Sequence, residues 1–502
     1  MSTTPVRLAL LVLLPCLAAA AAARAAPETI IAPPPGGYAL DRLTTGDGQP
    51  GVLKAGAAAV EITPHNPRGM FLAGFGPNRE ARGVRDPIYA RALVISDGRI
   101  AVAIVVLDLV GTVGGTSERI AALSSAQHPE RVLVTATHNH HAPDPLGYWG
   151  PTVLRVPVRS GVDQRWLRYV ERRAALAVHR AAQAARPARV SVARADAPGG
   201  ICRCLHRAEQ SPGPLTSIVI DDAEGQPIAT WMHYACHPET LWDRNQLISA
   251  DWAGEVYQAL ERVRGGTALV TVGSLGGVAP EPVFDGSLRD RYWQKRQSGR
   301  ALAETAFRAG AESGRSVVTD RLRLYRSEVE LPVENWQFEL AINSGLFSET
   351  LLQGKLEADI ALLELGGLRI GFVPGEFTPE AGAAVEQRIA GEPTMLVNLF
   401  DVEIGYVVTP EQFADADNEY LQYLKAVSLG PGTYDTLFEG VGALAAQAAA
   451  AENVPGSEDD VEPPVPEHPR LGPPERFDEQ PEEPAEEEAE EAPPAPEEST
   501  TP

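Results

Sequence analysis

Residues Ile100 to Leu109, IAVAIVVLDL, form an apolar run rich in β-branched side chains and interrupted only by Asp108. A strand with one face in water alternates apolar and polar residues. A run without alternation suits a strand covered on both faces. Similar runs occupy Arg131 to Thr137, Ile228 to Ala235, Thr267 to Val272 and Leu368 to Val373. Between them, Arg165 to Arg186, Ser249 to Arg264 and Arg300 to Ser313 repeat apolar residues at helical spacing. Alternating strands and helices predict an α/β fold, with mixed or largely parallel sheets under covering helices in one large domain.

The two ends read differently. Residues 1–25 have the pattern of a signal peptide: Arg7, an apolar run from Leu8 to Ala22 too short to span a bilayer, then the small-x-small triplet Ala23-Arg24-Ala25. They predict an exported protein, periplasmic or extracellular. Residues 26–54, rich in Pro, Gly and Thr, read as a linker, and the folded domain is expected over 55–450. Residues 451–502 form an acidic Pro/Glu-rich tail. From Ser457 to Pro502 it carries 17 Asp/Glu against 2 Arg, most of the net charge of −24. So few large apolar residues cannot offset the entropy of ordering, so disorder is expected there. No basic face is apparent, which excludes nucleic acid as the natural partner.

The chain has 10 histidines, and three of them fall within four positions in THNHHAPD: His138, His140 and His141. An apolar strand runs straight into them, and in extended backbone His138 and His140 project to one side, a candidate metal corner. A second strand runs into CHPETL at His237. His233, four residues earlier, would make a zincin-like pair on a helix, but Pro238 and the β-rich run argue for a strand, which leaves His233 as a core histidine. Asp251 suits either a carboxylate that orients a ligand imidazole from behind or a helix N-cap. A third strand enters VPGEFT, where Gly375 permits a sharp turn that presents Glu376. Tyr406 lies in the apolar stretch LFDVEIGYVVTP. Each of these residues sits where an apolar strand ends, the usual place for ligands in open α/β sheets.

Beyond the signal segment three cysteines remain, Cys202, Cys204 and Cys236. An odd number does not make a full disulfide framework, and Cys202 and Cys204 are too close for an easy mutual bridge. Pairing of one of them with Cys236, zinc ligation by Cys236 and a buried thiol beside the site all stay open.

Taken together these motifs resemble the neutral, non-lysosomal ceramidases, over about Ala57 to Leu444. The pieces occur in that family's order: AAVEITP, THNHHAPD, CHPETL, ISAD, VPGEFT and GYVVTPE. The resemblance implies one zinc ion per chain, bound by His138, His237, Glu376 and Tyr406. It implies His140 beside the metal as acid or base, and Arg203 and Tyr423 as substrate-contacting residues. The activity implied is hydrolysis of an N-acyl sphingoid base or related lipid amide by metal-activated water, with peripheral contact at a membrane surface. Two departures stand out. Ala279 occupies the position of a serine important in the family, in Gly276-Gly277-Val278-Ala279-Pro280, and the acidic tail follows where the family carries an immunoglobulin-like domain. Ser274 lacks the elbow spacing of a serine hydrolase. The other readings are a zinc esterase or amidase on a non-lipid substrate, and a zinc-bearing binding protein without turnover.

Overall fold

The structure is a computed structural model that describes residues 40–44 and 51–452, apart from 125–127, 154–155, 282–285, 318–320, 348, 350 and 392. The expected signal peptide, most of the linker and the acidic tail from 453 onward lie outside the described residues. Leu40 and Leu53, in the stretch read as linker, are buried.

Four of the apolar runs become strands of one nine-stranded sheet, and the fifth, at Leu368, joins a second sheet. The order of the nine-stranded sheet is Thr267–Val272, Pro227–Tyr234, Leu215–Asp222, Arg186–Ala195, Lys54–Glu61, Tyr89–Ser96, Ala101–Leu107 and Val132–Ala136, with Arg315–Val317 added beside Arg186–Ala195. The sheet is mixed. Only the pairs at its two ends are parallel, Pro227–Tyr234 with Thr267–Val272 and Ala101–Leu107 with Val132–Ala136. The largely parallel alternative is therefore corrected, and the reason is turn chemistry. Gly98 in Asp97-Gly98 and Gly225 in Glu224-Gly225 both take positive φ. Each closes a tight hairpin, which joins only antiparallel strands.

A second sheet holds Leu322–Pro332, Lys355–Leu365, Leu368–Phe372 and Thr394–Val397, with only its last pair parallel. The two sheets stack. Leu93, Ile95, Val102, Ile104 and Val106 share one core with Ala361, Leu363, Ile370, Phe372 and Val397. The intervening residues Ala92, Val94, Ala103 and Val105 face the other way, onto Val170, Ala174 and Val178 of the helix Gln164–Gln183. On the far side, Ala358, Ile360 and Leu362 pack on Val385 and Ile389 of Pro379–Ile389 and on Leu437, Val441 and Leu444 of Gly432–Glu452. The order helix, sheet, sheet, helix covers both faces of each sheet, which is why alternation was missing from the runs. The helices Asp251–Val263 and Leu288–Ser313 cover the remaining end. The latter begins well before Arg300. A Ser287–Asp290 capping box starts it, and its charged first half buries Arg291 and Lys295. Among the described residues no helix is long and apolar enough to cross a membrane.

The large sheet curls so that its edges meet. The Asn398 amide donates to Val272 O at 3.0 Å, and the Asp401 amide donates to Val134 O at 3.0 Å. The segment from Asn398 to Asp401 thus bridges the two edge strands, from the last residue of Thr267–Val272 to the middle of Val132–Ala136. The functional side chains gather at that junction.

Candidate metal centre

Two imidazoles and a carboxylate meet there. His138 follows the strand Val132–Ala136, and His237 follows Pro227–Tyr234. Glu376 opens a short strand after a turn at Gly375, whose φ of 70° suits glycine. His138 Nε2 lies 3.3 Å from Glu376 Oε2, and His237 Nε2 lies 3.1 Å from the same oxygen. All three side chains are buried.

The other ring nitrogens fix the tautomers. His138 Nδ1 is 2.6 Å from Val110 O, and His237 Nδ1 is 2.7 Å from Val278 O. A carbonyl oxygen only accepts, so each Nδ1 carries the proton and donates it. In the neutral rings both Nε2 atoms then present lone pairs, and both face Glu376 Oε2, which is itself buried without a hydrogen-bond partner. Three lone pairs aimed at one another call for a cation. Imidazoles anchored through Nδ1 to backbone carbonyls are the usual arrangement around a bound metal. His138 and Glu376 respond to each other. Burial acts first on each, against its charge, yet Glu376 holds His138 above its ordinary value, and the two histidines hold Glu376 well below the carboxylate range.

His140 completes a buried group in which ring nitrogens of His138, His140 and His237 lie within 4.8 Å of one another. The ring centroids of His138 and His140 are 4.8 Å apart. Strand alternation is not the reason. The strand has already ended, and His138 takes φ 64°. Such a left-handed residue costs about 1 kcal/mol or more and survives only where its surroundings fix it. Trp242, Asp251, Leu399 and Asp401, on segments around the same junction, share that conformation. His140 Nδ1 lies 3.1 Å from Glu239 Oε2, without hydrogen-bond geometry. Burial and then the two neighbouring histidines push His140 well below its ordinary pKa, so its ring is neutral.

Tyr406 stands beside Glu376, since Glu376–Phe377 pairs in parallel with Tyr406–Val407 and the two residues are in register. Tyr423 is half exposed, with its ring 5.9 Å from that of Tyr406. Arg203 lies on the strand Cys202–Cys204, opposite Ala279, with Nε 3.7 Å from Glu281 Oε2. His138, His140, His237, Glu376 and Tyr406 are thus brought together, Tyr423 lies at their edge and Arg203 on an adjoining strand. Ala279 is buried beside them.

Several residues went unread in the sequence. Arg79 is buried, donates to the carbonyls of Ala73 and His140, and stacks 4.7 Å from the Phe75 ring. His141 accepts from Asn245 Nδ2 at 3.1 Å and lies 3.4 Å from Asp251 Oδ2. Asp251 therefore faces His141 rather than a proposed ligand. Nor is it the N-cap, a position that Ala250 holds without a side-chain bond; Asp251 is the first residue of the helix, its Oδ1 accepting the Trp252 amide at 2.7 Å. His233 is a core residue as expected, 3.0 Å from Thr271 Oγ1. Cys236 is not available to a metal, because it is disulfide-bonded to Cys202; Cys204 remains a buried free thiol.

Behind the centre a second network joins three of its segments. His206 Nε2 lies 3.0 Å from Glu380 Oε2, Gln412 Nε2 donates to the same oxygen at 2.9 Å, and Cys204 Sγ is 3.3 Å from His206 Nδ1. Burial opposes the charge on His206, but Cys204 and Glu380 outweigh it and raise the pKa to about 9. A raised folded pKa stabilises below the unfolded value of about 6.5 and loses that contribution as pH climbs through about 9. We expect the urea midpoint to fall between pH 6.5 and 9 in the native protein and to fall less in Glu380→Gln. Parallel pH profiles for the two proteins would rule this pair out as the source.

No family model matches the chain, and no curated protein matches it either. Solved structures do. The fold is similar to that of neutral ceramidase from Pseudomonas aeruginosa, with TM-score 0.67 and 16% identity over 80% of this chain and 75% of that one. A ceramidase complexed with C2 matches with TM-score 0.65 and 15% identity, over 80% of this chain and 76% of the other. The chain therefore has the neutral ceramidase fold.

Proposed function

We propose that the protein is a zinc-dependent amidohydrolase acting on an N-acyl sphingoid base or a related lipid amide, with His138, His237, Glu376 and Tyr406 as the metal's ligands. One observation carries the reading: two imidazole Nε2 atoms, each with its Nδ1 proton committed to a carbonyl, face one unpartnered buried carboxylate oxygen. Two histidines with a carboxylate are a common donor set for catalytic zinc. When bound, zinc supplies Lewis acidity, polarising a carbonyl and lowering the pKa of a water to about 7.

The chain's own residues do the rest. His140 is neutral, and with Nδ1 turned toward Glu239 its Nε2 is the atom that takes and returns a proton. Tyr423, half exposed beside Tyr406, offers a hydroxyl to a substrate oxygen, and Arg203 adds positive charge on the adjoining strand. One of the similar structures is a ceramidase complexed with C2, and that likeness supports the amide class. The Cys202–Cys236 disulfide supports export, since such bonds persist in oxidising compartments.

A second reading has its own observation. Ala279 brings no hydroxyl to this pocket, which suits a different amide or ester, or a zinc-bearing binder. Purified protein assayed on N-acyl sphingosine, simple amides and simple esters, with and without chelator, separates these. Chelator-sensitive release of fatty acid from N-acyl sphingosine is the expected result. Turnover unchanged after complete metal removal would end the zinc reading, and bound metal with no turnover of any amide or ester would favour the binder.

A further inference from the structure

Besides Glu376 the centre holds two further carboxyl groups, Glu239 beside His140 and Glu403 beside Glu376. Glu403 is buried, two residues beyond the bridge that joins the sheet edges. Its backbone amide donates to Thr112 O at 2.9 Å, and its Oε1 accepts the Gly405 amide at 2.7 Å. Its Oε2 has no partner at all. Ligand atoms of His138, Glu376 and Glu403 all lie within 4.8 Å of one another.

Gly111 makes the placement possible. A Cβ at that position would sit 2.6 Å from Glu403 Cβ and 3.0 Å from its Cγ. The segment Val110-Gly111-Thr112 thus does three things at once: Val110 O orients His138, Gly111 leaves room for Glu403, and Thr112 O holds its backbone. Two buried carboxylates this close repel each other unless a cation or a proton lies between them. A divalent cation placed between Glu376 and Glu403 relieves that repulsion, and the neutral imidazoles add no charge of their own.

We propose that Glu403 is a further protein donor to the cation held by His138, His237, Glu376 and Tyr406, an inference that rests on the metal reading of the site.

The test uses Co2+ as a visible probe. Metal-free full-length protein is titrated with Co2+, following its d–d absorption, for the native chain and for Glu403→Gln. The variant should bind at least ~10-fold more weakly, the loss typical even of groups that only support a ligand, with displaced absorption bands. Its metal-free melting temperature should equal or exceed that of the native protein, since a repelling neighbour of Glu376 is gone. Equal affinity with an unchanged spectrum overturns the proposal. A zinc-loaded crystal of the native protein decides without any variant, and decides alone if Glu403→Gln does not fold. A Glu403 oxygen within about 2.2 Å of the metal supports it, and one beyond about 3 Å overturns it. If the native protein takes up neither Co2+ nor Zn2+, the metal reading itself falls, which is a different failure from a silent Glu403→Gln.

Discussion

His237→Ala is expected to purify with less than about a tenth of the native metal content and with no chelator-sensitive hydrolysis. The size of the effect follows from how this ring is held. Its Nδ1 is anchored on Val278 O at 2.7 Å, its backbone amide donates to the same oxygen at 3.2 Å, and its own carbonyl receives Trp252 Nε1 at 3.0 Å. The ring is therefore fixed before any metal arrives, and removing it deletes a preorganised donor. Glu376 would then lose one of the two imidazole nitrogens that face its Oε2, and a buried carboxylate short of partners is costly. His233→Ala is the matching control. That ring, four residues earlier, bonds Thr271 in the core, so its loss should lower stability and leave metal content intact. Elemental analysis of both proteins gives the answer. Full occupancy in His237→Ala, or equal depletion in both, would remove His237 from the ligand set.

The contrast between these two histidines shows what the sequence could and could not say. The unalternated runs announced strands covered on both faces, because burial on two sides leaves a mark at every position. Stacking of the two sheets was not announced, since a strand covered by a second sheet reads the same as one covered by helices. The three histidines in THNHHAPD were conspicuous by number, yet the geometry inferred for them was wrong. His138 meets His140 through a left-handed turn after the strand, a conformation no local pattern signals for histidine. Arg79, Asn245 and Glu239 were invisible because each is a single polar residue whose burial is decided by chain far away. Glu403 did leave a trace. It and Asp401 interrupt the apolar stretch LFDVEIGYVV, as Asp108 interrupts IAVAIVVLDL, where its carboxylate accepts from Tyr257 and the Tyr89 amide. A charge inside a buried run must have a partner, and that was reason to look harder.

Reducing the Cys202–Cys236 disulfide should cost stability and loosen the metal together. The bond closes a loop with a sequence separation of 34 residues. By chain entropy such a cross-link stabilises the fold by ~4 kcal/mol. Its place in the fold adds a second effect. Cys236 immediately precedes His237, and the strand Cys202–Cys204 pairs with Val278–Pro280. Val278 supplies the carbonyl that orients His237. Opening the bond therefore frees both the chain that carries the ligand and the strand behind its anchor. A Cys202→Ser, Cys236→Ser double variant avoids exchange with the free Cys204, which lies two residues from Cys202. It should unfold at clearly lower denaturant and bind metal more weakly than the native protein, while keeping more metal than His237→Ala, because all the donors remain. The order of metal contents, native above double serine above His237→Ala, is the specific expectation. An unfolding midpoint that does not move, in native protein shown by thiol titration to be fully reduced, would mean that hydrogen bonding across Cys202–Cys204 and Val278–Pro280 holds this corner by itself.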